Sequence, residues 1–115
     1  MVSRKYMKGI LPALKWGYDP EVEMAPRPIT PGERLHSDRE IYYLVVDVRN
    51  GEPALLLYHR HGGTAECIGE ITDIPYDLLR EAVSRPRRGA MNISGWYPAT
   101  RAIEAWVREW ASEGD

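Results

Sequence analysis

The sequence has no phenylalanine, one cysteine and no long apolar run. A lone cysteine excludes an intramolecular disulfide and the paired Cys-x-x-Cys spacing of a structural zinc site. Its apolar stretches fall far short of the roughly 20 residues a membrane-spanning helix needs, so no membrane partner is expected. Lys8, Pro12 and Lys15 interrupt the region where a secretory signal would need continuous hydrophobicity. The default expectation is therefore a cytoplasmic protein. Without phenylalanine, the aromatic contacts fall to four tryptophans and seven tyrosines, whose polar atoms need partners when buried. Such contacts are expected near surfaces and interfaces. The formal charge of −2 excludes the uniformly basic surface of a protein that coats nucleic acid, although it leaves room for a local basic patch.

What is present is ordinary for one globular domain: 115 residues, 43% apolar and 28% charged. Residues 1–18 carry Arg4, Lys5, Lys8 and Lys15 with no acid before Asp19, and Pro12 limits them to a short turn or strand on either side. Pro20, Pro26, Pro28, Pro31 and Gly32 follow, a density that reads as an extended connector. Residues 1–34 are thus expected to be an arm, and residues 35–115 a single domain.

The domain begins with its clearest signal. Two β-rich runs, "EIYYLVVDVR" and "EPALLLYHR", flank Asn50-Gly51, the strongest short hairpin signature. A two-residue turn pairs Val48 with Pro53, Val46 with Leu55, Leu44 with Leu57 and Tyr42 with His59. Side chains alternate across a strand, so these residues line one face, expected to be the core. Tyr43, Val45, Leu56, Tyr58 and Arg60 line the other. A third strand is expected at "ECIGEITD", then a helix over "IPYDLLREAVSR" capped by Asp73, and a last helix opened by Pro98. A short fourth strand is an option at Met91–Ser94. The predicted class is α+β: a three- or four-stranded antiparallel sheet with two C-terminal helices on one face, preceded by the proline-rich arm.

Three places offer chemistry. His59 and His61 project from one strand face, a workable spacing for two imidazoles on a zinc ion. Glu66 would be a third ligand if residues 62 and 63 alone make the next turn, and Cys67 if the turn is one residue longer. His36 is a candidate fourth. His-x-His is a weak motif, however, and Tyr42 opposite His59 accounts for the same residues as an ordinary hairpin. No metal or other cofactor is therefore expected, and no complete catalytic constellation emerges. Tyr43 and Tyr58, flanked by Arg49 and Arg60, resemble the aromatic platforms that stack single-stranded bases. The apolar Val45 and Leu56 between them point rather to a face covered by protein. Arg85, Arg87 and Arg88 cluster in "RPRRG" and suit phosphate or an acidic partner surface. The leading expectation is a small binding or regulatory module acting through protein contact or self-association at the Tyr43–Tyr58 face. Nucleic-acid binding comes second, and a metal-dependent His-x-His enzyme third.

Overall fold

A computed structural model describes residues 1–18, 40–61, 64–84 and 96–113. Asn50 and Gly51 both take positive φ, 53° and 79°, as the tightest hairpin turn demands. They join β1 (Ile41–Arg49) to β2 (Glu52–His61) in the expected register, with Val46 opposite Leu55, Leu44 opposite Leu57 and Tyr43 opposite Tyr58. β3 (Thr64–Ile71) lies antiparallel along β2 and places Glu66 opposite His59. The register then slips between Leu57 and Tyr58, making Ile68 the extra residue of a bulge.

β4 (Trp96–Pro98) pairs with the far edge of β1, so the sheet order is β3-β2-β1-β4, antiparallel throughout. The fourth strand therefore falls after the expected Met91–Ser94 segment, which lies outside the described residues. Pro98 was expected to open the last helix. It instead ends β4, an edge strand where a missing N–H is tolerated.

Among the described residues, three α-helices accompany the sheet: α1 (Arg4–Ile10), α2 (Tyr76–Ser84) and α3 (Arg101–Ser112). The last starts at Thr100, whose Oγ1 accepts the Ile103 N–H at 3.2 Å. The first corrects the expectation that residues 1–18 hold no more than a turn or a strand. Ser3 caps α1 by accepting the Tyr6 N–H at 3.1 Å, and the helix ends before Pro12. That proline sits early in the following 3₁₀ turn, Leu11–Ala13, where no intrahelical N–H is needed. The proline-rich connector that follows, with its boundary at residue 34, lies outside the described residues.

Both sheet faces are buried. Leu44, Val46, Leu55 and Leu57 pack with Met7, Leu79, Ile103 and Val107 in the larger cluster, to which all three helices contribute. Tyr43, Val45, Leu56 and Tyr58 form a second cluster with Tyr18. The segment 14–18 connects the two. Leu14 belongs to the first cluster and bridges in parallel to Tyr42. The Lys15 N–H donates to the Tyr42 carbonyl at 2.8 Å, and Tyr18 reaches the opposite face. The chain therefore rounds the edge of β1 beside β4. Among the described residues, no helix is long and apolar enough to cross a membrane.

Candidate functional site

The histidine stretch sits at the open end of the hairpin. His59 Nε2 lies 2.8 Å from Glu40 Oε1, and its ring stacks on Tyr42 at 4.6 Å and faces His61 at 6.2 Å. Glu66 opposes His59, whereas Cys67 opposes Tyr58 and so belongs to the other face. The alternative with Cys67 facing His59 required a longer link between β2 and β3, and the direct pairing of His61 with Thr64 removes it. Among the described residues, no three His, Cys, Asp or Glu side chains converge as a metal site. His36 lies outside those residues.

The Tyr43–Tyr58 face differs from the docking surface that the sequence suggests. Tyr43 is 0% exposed, Val45 0%, Leu56 6%, Tyr58 7% and Arg60 6%. A base-stacking platform needs accessible rings, and these are inside the protein. Tyr18 packs on Tyr43 with ring centroids 4.5 Å apart, while Tyr43 and Tyr58 stack at 5.6 Å. Burial, above all, pushes the Tyr43 phenol up to about 12 and raises Tyr58 as well. Sequence alternation locates these residues correctly on one face, but their cover comes from a residue remote in sequence. Arg85, Arg87 and Arg88 lie outside the described residues.

A site that the sequence did not reveal lies at the helices. Trp106 and Trp110, one turn apart on α3, stack with centroids 5.5 Å apart. Trp110 is anchored from the β3–α2 connection, where Asp73 Oδ2 accepts its indole N–H at 2.9 Å. Asp73, expected to cap α2, lies three residues before the first residue of that helix, Tyr76, and holds this indole instead. From α1, the Arg4 guanidinium lies over the Trp110 ring at 5.6 Å and 3.9 Å from Asp73 Oδ2. These groups, with Glu109 and Glu113, line a cleft of about 420 Å³. It adjoins a second cleft, of about 390 Å³, that shares Arg4, Asp73, Trp110 and Glu113 and extends to Met1–Ser3 and Thr72. Three carboxylates thus face one guanidinium beside an aromatic wall. The available sequence signal was two interleaved i,i+4 pairs, Trp106/Trp110 and Glu109/Glu113. Arg4 and Asp73 join them only through folding. The chain matches no protein-family model, no curated protein and no solved structure.

Proposed function

We propose that this domain is a binding module that captures a basic segment of another protein in the α1–α3 cleft. The observation that carries the reading is the Arg4 guanidinium, already seated against Trp110 and Asp73. It identifies the ligand chemistry the cleft accepts: a cation drawn by carboxylates and held against the half-buried Trp106 and the part of Trp110, itself 6% exposed, that Arg4 would vacate. Arg4 is not firmly held. Its side chain and that of Asp73 are 43% and 54% exposed, and exposed ion pairs contribute about 0–1 kcal/mol. An incoming arginine or lysine therefore displaces it at little cost, and Glu109 and Glu113 remain to pair with the newcomer. The volume lies within the roughly 300–1,000 Å³ common for ligand clefts.

Titration of the full chain with a short arginine-containing peptide amide, followed by tryptophan fluorescence, tests this reading. A saturable change is expected, weakening as salt rises and at least tenfold weaker in the double variant Glu109→Lys, Glu113→Lys. Glu109 on α3 and Glu113, the residue that ends it, are both exposed, so that variant keeps the fold. No fluorescence change, equal binding by the variant, or preference for a single-stranded oligonucleotide over the peptide would overturn the proposal.

A further inference from the structure

The space beside Arg4 is divided in two. The first cleft, of about 420 Å³, has Trp106 and Glu109 on its own side. The second, of about 390 Å³, has Thr72 and Met1–Ser3 instead. Arg4, Asp73, Trp110 and Glu113 line both and form the rim between them.

Charge decides how many cations this pair of clefts can hold. The charged side chains lining them are Asp73, Glu109, Glu113 and Arg4, so two carboxylates are in excess. Arg4 approaches Asp73 at 3.9 Å. Among the described residues, neither Glu109 nor Glu113 is in an ion pair. A ligand bearing one cation that displaces Arg4 exchanges like for like, and the excess is unchanged. A second cation lowers it to one, in a concave site where like charges reinforce one another's field. The second cleft has a matching polar group. The Thr72 hydroxyl spends its hydrogen on Met1 Sδ at 2.9 Å, so its remaining lone pairs can only accept.

We propose that the two clefts take the two cationic side chains of an extended Arg-x-Arg or Arg-x-Lys segment. Adjacent side chains of such a segment point to opposite sides. Residues i and i+2 share a side, about 6.6 Å apart at roughly 3.3 Å per residue, which suits two clefts with a common rim. Arginine belongs in the first, where its planar face lies against the half-buried Trp106. Either cation suits the second, beside Thr72 and Asp73. This inference rests on the binding function proposed above and adds the number and spacing of the charges recognised.

The test compares three acetylated peptide amides, Gly-Arg-Ala-Arg-Gly, Gly-Arg-Arg-Ala-Gly and Gly-Arg-Ala-Ala-Gly. Each is titrated into the full chain at one ionic strength and followed by tryptophan fluorescence. The alternating peptide should bind at least about tenfold tighter than the single-arginine one, because its second side chain binds at high effective concentration. It should bind roughly threefold tighter than the adjacent pair, which has the same charge but the wrong side-chain direction. Thr72→Lys, at an exposed position, sets a cation in the second cleft and should erase the advantage of the second arginine. Glu109→Gln should weaken the alternating and single-arginine peptides by the same factor. Should either variant fail to fold, the wild-type comparison decides alone. Equal affinity for the alternating and single-arginine peptides, equal affinity for the two same-charge peptides, an undiminished advantage in Thr72→Lys, or a Glu109→Gln effect confined to one peptide would each overturn the two-cation site. Saturable binding of the single-arginine peptide would then still uphold the proposed function, whereas failure of all three peptides to bind would overturn both.

Discussion

Glu104 shows how much one side chain can carry in a domain of this size. It projects from α3 towards Gly17, and the two are linked by a hydrogen bond from the Gly17 backbone N–H. Gly17 itself has φ +68°, a conformation that side-chain-bearing residues adopt only with strain. Partial burial raises the Glu104 carboxyl above its ordinary 4.5, against the opposing pull of that bond and of Arg108 and Arg101. The folded state therefore holds the proton more tightly than the unfolded chain. Wild-type stability falls as pH rises through the interval above 4.5. Glu104→Gln retains an acceptor for Gly17 and removes the charge. It should melt above wild type at neutral pH, with the difference shrinking as pH falls below 4.5; a gap that is constant with pH would contradict this. Residue-scale features such as this depend on tertiary neighbours. Only those set by adjacent residues, such as the positive φ values of Asn50 and Gly51, were legible in the sequence.

Among the elements, the hairpin and α1 stand at opposite ends of legibility. The β1–β2 register follows from a local turn and from alternation, so it was readable residue by residue. α1 has seven residues, too few for intrinsic propensity to sustain a helix in water, and its apolar positions show no clear stripe. It persists because Met7, 0% exposed, docks in the larger cluster. Met7→Ala should accordingly destabilise the domain by about 2–5 kcal/mol, the range for large-to-small core changes, as measured by chemical denaturation. An effect below about 0.5 kcal/mol, ordinary for a surface position, would mean that α1 is not part of the core. β4 escaped recognition for a related reason. Its three residues, Trp96–Pro98, offer no period, and only the exposed edge of β1 makes them a strand.

For the molecule as a whole, the decisive feature is that both faces of the sheet are covered. The sequence correctly suggested that Val45 and Leu56 require cover, but the cover includes Tyr18, whose approach depends on the path of the segment 14–18. Similarly, the tryptophan cleft gathers Arg4, Asp73, Trp106 and Trp110 from three separate parts of the chain, so no local motif announced it. Because the second face is internal, Leu56→Glu should abolish the cooperative thermal unfolding transition; a variant melting like wild type would show the face to be open to water. The path of residues 14–18 has a consequence for aggregation. An open sheet offers rows of unpaired backbone groups at its margins, on which another chain can template itself. Along β1 that row is interrupted twice, by β4 at Val45–Asp47 and by Leu14 and Lys15 at Tyr42. Along β3, the Val2 N–H occupies the Glu70 carbonyl at 2.9 Å, and the Ile68 bulge breaks the regular spacing nearby. The N-terminal segment thus blunts both margins of the sheet, and its loss would leave this hairpin-built domain open to growth into multi-chain β-assemblies.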